Sequence, residues 1–322
     1  MSEIAREILA RYQVRKTKKQ KREFIRYADK KAQEMGYVGR IEKERFNVEN
    51  LVYGDVNRAK VIYTAHYDTA PRLPFPNFIT PKNIGIYLAY QVLLTVVIMG
   101  ALTGVSWLLG FLLGRFGAYF VPDEDALASL VGMVSSVVTV ALIALLLCGP
   151  ANRNTANDNT SGVVTLLEAM AAMPVELRSQ VAFVFFDLEE MGMIGSSAFA
   201  HRHKAALKDT LVVNFDCVSD GETALLCVKK KARVFLPCLE SAFVSDDCMT
   251  VDIATKGFVY PSDQMQMPCG VGVASLKKTK SGLLYMDRIH TARDVVFREE
   301  NIAFLVKASV SLAKAVLNCG FN

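Results

Sequence analysis

The sequence predicts an α/β fold: a three-layer sandwich around a largely parallel mixed sheet, with a two-helix transmembrane hairpin inserted into it. Apolar runs typical of buried strands alternate with helical patterns, which favours a sheet covered by helices. Two long stretches in the middle carry no charged residue, which is typical of membrane helices. The changes in composition predict three parts: an N-terminal basic amphipathic helix over residues 1–35, an α/β domain over residues 36–82 and 150–322, and the hairpin over residues 83–149.

Length and cysteine content bound the class of protein. A chain of 322 residues can hold one large domain or two ordinary ones. The seven cysteines are scattered and form no C-x-x-C pair, which favours reduced thiols in a cytoplasmic compartment over a disulfide framework. Charged residues interrupt the first apolar positions, so we expect no signal peptide.

The N-terminal region is expected to form one helix. Apolar residues recur on one face at first, and a dense basic run over residues 15–26 follows. Such a run is typical of a solvated helix face; attraction to anionic lipid headgroups is the alternative. No aromatic–basic interleaving or zinc-finger spacing accompanies the charge, so no nucleic-acid partner is expected.

The first strands follow this helix. Residues 37–53 predict a short strand pair, and residues 60–65 predict a buried strand that leads into His66. Prolines between positions 71 and 81 then make a stiff, non-helical connector.

The charge-free stretches predict two membrane spans. Residues 84–113 and 126–148 each exceed the ~20 residues that cross a ~30 Å hydrocarbon layer, and fully buried soluble helices are the alternative. Two spans joined by a short loop place both flanks on one side of the membrane. The loop over residues 114–125 is acidic and the flanks are basic, so the positive-inside rule predicts a cell-membrane protein with its α/β domain on the cytoplasmic side.

Small residues recur four apart in both spans. Gly100 and Gly104 form one such pair, Gly110 and Gly114 form another, and residues 128, 132 and 136 are Ala, Gly and Ser. Small residues let helix backbones approach closely within lipid. Two outcomes stay open: the spans pack on each other, or a homodimer forms through the membrane.

After the hairpin, helical and strand patterns alternate again. We expect helices over residues 162–173, 195–207 and 299–317, and strands over residues 180–186, 210–215, 224–228, 249–253 and 271–276. In such sheets functional groups gather at the carboxyl ends of strands. His66, residues 187–190 and Asp216 all fall just past predicted strand ends.

Five short motifs carry the side chains with chemical potential. They are H-x-D at His66, N-D-N-x-S-G at Asp158, D-x-E-E-x-G at Glu189, N-F-D at Asp216 and I-H-T at His290. Each motif alone is weak evidence. His66 can be a histidine hydrogen-bonded at a strand end, and the Glu189–Glu190 pair can be a solvated turn.

In this order, the motifs resemble those of the M28 family of zinc peptidases. The resemblance covers about residues 35–320 apart from the hairpin, and it implies a zinc-peptidase/phosphorylase-like fold. By this resemblance, His66 and Asp216 are expected to bind one zinc ion. Glu190 and His290 are expected to bind a second ion, and Asp158 is similar to the carboxylate that bridges the two.

The same resemblance assigns two further roles. Glu189 resembles the general base, and Asp68 resembles the carboxylate that orients His66. The chemistry agrees, since imidazole and carboxylate ligands suit zinc and a carboxylate partner fixes a ligating histidine. Two metals about 3.5–4 Å apart can share an activated water and polarise a scissile carbonyl.

These residues imply a membrane-embedded aminopeptidase with two zinc ions per chain. Its expected substrates are peptides, including amphipathic or membrane-associated ones, at the cytoplasmic surface of the bilayer. One alternative is a glutaminyl cyclase, which resembles the same family but uses one zinc. Another is a non-catalytic membrane scaffold that retains the peptidase fold.

Three further positions need separate expectations. The family often has aspartate where this chain has Asn157, so a second negative charge is missing there. The Ser262–Asp263 pair matches a segment near the family's substrate pocket, with ordinary loop packing as the alternative. His201 and His203 lie two residues apart in a predicted helix and are expected at the surface.

Overall fold

The computed structural model describes residues 1–117, 119–121 and 123–319, which fall into two units. One unit comprises Met1–Ile84 together with the chain from Ala151 onwards, and the other comprises Gly85–Pro150. The first unit carries a nine-stranded sheet with its helices, and the second consists of two long apolar helices.

The N-terminal region forms two helices, α1 (Glu3–Arg11) and α2 (Lys18–Glu34), so the expectation of a single helix was wrong. A capping box starts α2: the Thr17 hydroxyl accepts the Gln20 N–H, and the Gln20 side chain accepts the Thr17 N–H. The segment between the helices turns inward and buries Arg15 completely. Lys21 also forms an ion pair, 2.5 Å from Asp187. The basic run is therefore only partly a solvated face.

The strands and remaining helices follow the predicted order closely. The strands are β1 (Gly39–Lys43), β2 (Glu49–Tyr53), β3 (Val61–His66), β4 (Val181–Phe186), β5 (Leu211–Phe215), β6 (Thr223–Val228), β7 (Thr250–Ala254), β8 (Gly270–Lys278) and β9 (Leu284–Tyr285). Helices α3 and α4 form the hairpin and belong to the second unit. The later helices of the first unit are α5 (Gly162–Ala172), α6 (Ile194–Arg202), α7 (Leu236–Ala242) and α8 (Glu299–Asn318). Neither β9 nor α7 was expected from the sequence pattern.

The sheet is mixed. Its order is β1-β2-β4-β3-β5-β8-β6-β7, with β9 paired to β8. The centre is parallel, because β3 pairs in parallel with β4 and β5, and β5 pairs in parallel with β8. The pairs β1–β2, β2–β4, β6–β8 and β8–β9 are antiparallel. A largely parallel sheet is thus found in the centre, where the site residues emerge.

Both faces of the sheet are covered, as a three-layer sandwich requires. On β4, Phe183 and Phe185 pack into a core that includes residues of α2, α5 and α8. Val184 and Phe186 point the other way, into a core that includes Phe199 of α6. This alternation follows from the two-residue period of a strand. Because β4 is buried on both faces, its sequence is uniformly apolar rather than alternating.

The second unit consists of α3 (Ile84–Gly117) and α4 (Glu124–Cys148). Both are long and apolar enough to cross a membrane, by length and composition alone. Asp123 caps α4 by accepting the N–H groups of Asp125 and Ala126. The helices contact each other, since the hydroxyls of Ser106 and Thr139 lie 3.2 Å apart.

Candidate active site

Three neighbouring strands deliver site residues to one edge of the sheet. His66 is the last residue of β3, Asp216 directly follows β5, and the Glu189–Glu190 pair lies in the loop after β4. Because β3 lies between β4 and β5 and runs parallel to both, these strand ends meet at the same edge. Asp158 comes from the turn before α5, and His290 from the loop between β9 and α8.

The five expected metal ligands converge there. His66 Nε2 lies 3.3 Å from Asp158 Oδ1 and 3.5 Å from Asp216 Oδ1. His290 Nε2 lies 2.9 Å from Asp158 Oδ2 and 3.2 Å from Glu190 Oε2. The Asp158 carboxylate therefore turns one oxygen to each histidine. This is the arrangement that a carboxylate shared by two adjacent metal ions needs.

The residues present fit a divalent cation. Ligand atoms of His66, Asp158 and Asp216 lie within 4.8 Å of one another, as do those of Asp158, Glu190 and His290. Glu190 Oε1 is buried and accepts no hydrogen bond, so an electron pair is free for another partner. Buried carboxylates need a compensating charge, and imidazole with carboxylate donors is a ligand set that zinc prefers.

Asp68 links His66 to the loop that carries Glu189 and Glu190. Its Oδ1 lies 3.5 Å from His66 Nδ1, on the side of the ring away from Asp158 and Asp216. Its two oxygens also accept the backbone N–H groups of Glu189, at 3.0 Å, and Glu190, at 3.2 Å. Asp68 is therefore placed to orient His66 and to hold the Glu189–Glu190 loop at the site.

Glu189 lies in a setting that favours a bound proton. Burial raises the pKa of the Glu189 carboxyl well above its usual range, although His66 opposes this shift; the nearby Glu190, Asp263 and Asp216 raise it further. A carboxyl with a raised pKa beside a ligand cluster is typical of a group that exchanges protons during a reaction.

The electrostatics of Asp158 run in the opposite direction. Burial alone would raise the pKa of this carboxyl, but its contacts with His290 and His66 hold the pKa well below its usual range. The Asp158 and Glu189 carboxyls therefore have pKa values shifted in opposite directions.

The turn that carries Asp158 is fixed by residues that the sequence did not single out. Both oxygens of Asp294 accept N–H groups from this turn, that of Asn157 at 2.7 Å and that of Asp158 at 3.0 Å. Asn157 Oδ1 in turn accepts the N–H groups of Ser219 and Asp220, at 2.7 and 3.0 Å. Asn157 thus links the turn to the segment after Asp216. No motif marks Asp294, which is recognisable only by its contacts.

The Ser262–Asp263 segment supports Asp216. The Ser262 hydroxyl donates to Asp216 Oδ2 at 2.6 Å, and the Tyr260 hydroxyl donates to the Asp216 carbonyl at 3.0 Å. Asp263 is fully buried, and burial raises its pKa to about 7. The pair lies beside the ligand cluster, under its surface rather than in an exposed lining.

The backbone is strained around the site. Leu188, Met193, Cys217 and His290 have positive φ values of 53°, 59°, 58° and 60°, and the only other such non-glycine residue in the described chain is Asn47. Leu188 directly precedes Glu189, and Met193 lies three residues after Glu190. Cys217 directly follows Asp216, and the fourth residue is the expected ligand His290 itself. Left-handed conformations of non-glycine residues cost energy and cluster where the fold must aim side chains.

The remaining histidines divide differently from expectation. His201 is exposed as expected, but His203 is not a surface residue. Its ring is 12% exposed, lies 3.0 Å from Glu42 and packs on Phe199 with ring centroids 4.5 Å apart. The helical spacing predicted rings that point apart, and the structure shows that the strand β1 covers one of them.

The sheet and the cluster of histidines and carboxylates at its edge are typical of an α/β enzyme that binds a divalent metal. The chain belongs to peptidase family M28, whose sequence model matches residues 138–303. A search of curated protein sequences gave no match.

Solved structures of the same fold include aminopeptidases and glutaminyl cyclases. The LapA aminopeptidase of Legionella pneumophila is 14% identical over 97% of this chain and 70% of its own, with a TM-score of 0.54. A Porphyromonas gingivalis glutaminyl cyclase is 13% identical over 98% and 96%, with a TM-score of 0.54. A Zn-dependent exopeptidase from Parabacteroides distasonis is 13% identical over 98% and 95%, with a TM-score of 0.53. At these identities the likeness concerns the fold.

Proposed function

We propose that this protein is a membrane-anchored aminopeptidase with two zinc ions. The observation that carries the proposal is the Asp158 carboxylate, which turns one oxygen to His66 and the other to His290. In the proposed site, His66 and Asp216 would hold one ion, Glu190 and His290 would hold the other, and Asp158 would contribute to both. When bound, the ions supply a Lewis acid for the scissile carbonyl and a water that loses its proton near neutral pH.

The chain's own residues complete the chemistry. Glu189, whose pKa is raised by burial, takes the proton of the attacking water and delivers it to the leaving amine nitrogen. Asp68 holds the His66 ring and the Glu189 backbone in fixed positions relative to each other during this transfer, because it contacts both. Both groups lie within three residues of a strand end and are joined by hydrogen bonds, which reduces the reorganisation that the reaction requires.

We further propose that the α3–α4 hairpin anchors the peptidase in the cell membrane, with the α/β unit on the cytoplasmic side. The acidic loop and the basic flanks support this orientation. The hairpin is inserted between two motifs that carry ligands, His66 and Asp158, which supports amphipathic or membrane-associated peptides as substrates.

A second copy of the chain is the partner that we propose for α3. A Cβ atom built on Gly110 comes within 3.6 Å of Val131 on α4, so this glycine serves packing within the hairpin. Among the described residues, nothing lies within 4 Å of a Cβ atom built on Gly100 or Gly104. That part of the small-residue pattern supports a contact between chains.

Glutaminyl cyclase is the second candidate function. The fold is shared with solved glutaminyl cyclases that this chain matches over almost their full length. Such an enzyme would use one zinc and cyclise N-terminal glutamine without hydrolysis. Two histidines and two further carboxylates surround Asp158, which is enough for two metal ions and therefore favours the two-metal peptidase. The presence of all the expected ligands also argues against a non-catalytic scaffold.

Metal analysis of the purified protein, combined with a panel of fluorogenic amino-acid amides and an N-terminal glutaminyl peptide, tests the proposal. We expect two zinc ions per chain and release of the fluorophore from at least one amide. One zinc per chain with cyclisation of the glutaminyl peptide would instead establish the cyclase. A chain that binds zinc but converts neither kind of substrate would support the scaffold.

A further inference from the structure

Arg15 is a fully buried arginine in the segment between α1 and α2. Its guanidinium carbon lies 5.4 Å from the centroid of the Phe24 ring. Arginine is almost never fully buried unless its charge and its donors are matched by partners. The partners of Arg15 therefore indicate what its burial achieves.

The side chain of Arg15 joins two segments that carry ligands. Its Nε donates to the carbonyl of Tyr67, which stands between His66 and Asp68. Its Nη1 donates to the hydroxyl of Thr160, at 3.2 Å, two residues after Asp158. These segments are far apart in sequence, because one precedes the inserted hairpin and the other follows it. A guanidinium can bridge them because its donors form a rigid planar fork.

The main chain at Arg15 strengthens the same connection. Its N–H donates to the Thr69 hydroxyl at 2.9 Å, and that hydroxyl donates back to the carbonyl of Gln13 at 3.4 Å. Gln13 also accepts at its carbonyl from the hydroxyl of Thr155, in the turn before Asp158. Residues 13–15 thus form several hydrogen bonds with both segments, the one that follows His66 and the one around Asp158.

The charge of Arg15 faces the acidic cluster. Burial lowers the pKa of the guanidinium to about 10, while the carboxylates of Asp68 and Asp158 oppose this shift. Arg15 therefore keeps its charge at neutral pH. A fixed positive charge in a buried setting offsets part of the repulsion among the surrounding carboxylates.

We propose that Arg15 is a positioning residue for the metal site: its fork holds the His66–Asp68 segment against the Asp158 turn, and its charge stabilises the carboxylates before metal binds. The inference rests on the metal site proposed above. It makes the N-terminal segment a working part of the peptidase domain.

Arg178 provides a matched control. It also donates to two backbone carbonyls, those of Met173 at 3.0 Å and Met35 at 2.7 Å, and its guanidinium lies 4.6 Å from the Tyr37 ring centroid. Met35 and Tyr37 follow the carboxyl end of α2 and Met173 follows that of α5, whereas Arg15 precedes the amino end of α2. Replacing Arg178 therefore removes a comparable set of contacts that touches neither ligand segment.

The experiment compares Arg15→Met, Arg15→Lys, Thr160→Val and Arg178→Met with the unchanged full-length protein. Zinc affinity is measured by chelator competition, and the unfolding midpoint is measured in the metal-free state. We expect Arg15→Met to lose roughly 10–100-fold in zinc affinity, the range found for partners that orient ligands. Lysine keeps the charge without the fork, so its loss should be smaller. Arg178→Met should lower the midpoint and leave zinc affinity unchanged.

Thr160→Val keeps the inference testable if Arg15→Met does not fold. This variant removes one acceptor of Arg15 and leaves the charge in place, and we expect a measurable fall in zinc affinity with little change of the midpoint. Zinc affinity equal to that of the unchanged protein in Arg15→Met, or in Thr160→Val, would overturn the inference. An equal loss in Arg178→Met would also overturn it, because general destabilisation would then explain the effect. If the unchanged protein itself binds no zinc, the proposed function fails instead.

Discussion

Glu189 and Asp158 show how neighbouring carboxyls acquire different roles. Burial among other acids raises the pKa of Glu189, whereas two imidazoles hold the pKa of Asp158 down. Residue type gives both side chains the same carboxyl group, and only the resemblance of their motifs assigned them different roles. The difference arises because Asp158 is shared by His66 and His290, while Glu189 makes no such contact pair.

Glu189→Gln should abolish turnover and retain metal. The amide cannot accept a proton from water, so we expect kcat to fall by roughly 10²–10⁴-fold. Zinc content per chain, measured on the same sample, should not change, since Glu189 is not one of the five proposed ligands. Glu176→Gln, at an exposed position, is the matched control and should keep full activity. Normal turnover in Glu189→Gln would remove the proposed acid–base role.

Zinc affinity should fall as pH falls. Burial favours neutral rings, but the surrounding carboxylates raise the pKa of His66 and His290 well above the usual range. The metal-free protein therefore keeps protons on these rings at pH values where an isolated histidine has lost them, and zinc must displace these protons. Calorimetry in buffers of different ionisation enthalpy should show proton release on binding near neutral pH. An affinity independent of pH would contradict this.

At this scale, the resemblance was enough to name the residues that converge, and local pattern was not enough to name their supports. His66, Asp158, Glu190, Asp216 and His290 stand in ordered motifs. Asp294 and Arg15 stand in none, because their importance comes from contacts with backbone groups far away in sequence. His203 illustrates the same limit, since its partner Glu42 lies on a distant strand.

At the scale of elements, the strands that carry the site were predictable, but the direction in which some strands pair was not. Strands β3, β4 and β5 are uninterrupted apolar runs, which indicates burial on both faces. The antiparallel pairing of β6 with β8 depends on chain direction over a long connection, and no local signal records that direction. The Thr17–Gln20 capping box is a sequence signal for the start of α2 and therefore for the break after α1. It lies within the basic run, which was interpreted as part of one continuous helix.

Gly104→Ile should disrupt a homodimer without disrupting the hairpin. A Cβ atom built on Gly104 meets nothing within 4 Å among the described residues, so we expect the contact between α3 and α4 to survive, whereas a close contact with a second copy should not. Chemical cross-linking in detergent or native mass spectrometry measures the outcome. Ala101→Ile is the control, because a helix turns about 100° per residue and places it off the Gly100–Gly104 line. A dimer that persists in Gly104→Ile would exclude this face.

At the scale of the whole molecule, the proposed orientation can be tested with thiol labelling. Cys248 is exposed on the α/β unit, and Tyr119→Cys places a thiol in the loop between the spans. With the exposed Cys148 and Cys319 replaced by serine, a membrane-impermeant maleimide should label Tyr119→Cys on intact cells and reach Cys248 only after permeabilisation. Cys248→Ser is the control for the second signal. The reverse pattern would place the α/β unit outside.

The position of β3 in the sheet sets an order of events during synthesis. Both of its neighbours, β4 and β5, are encoded after the hairpin, so one hydrogen-bonding edge of β3 has no partner before residue 186 is made and the other has none before residue 215. Under the proposed membrane insertion, α3 and α4 enter the bilayer during that interval. The antiparallel β1–β2 pair can form before the hairpin emerges, but β3 gains its partners, and the proposed site its loops after β4 and β5, only once the nascent chain is tethered under that proposal.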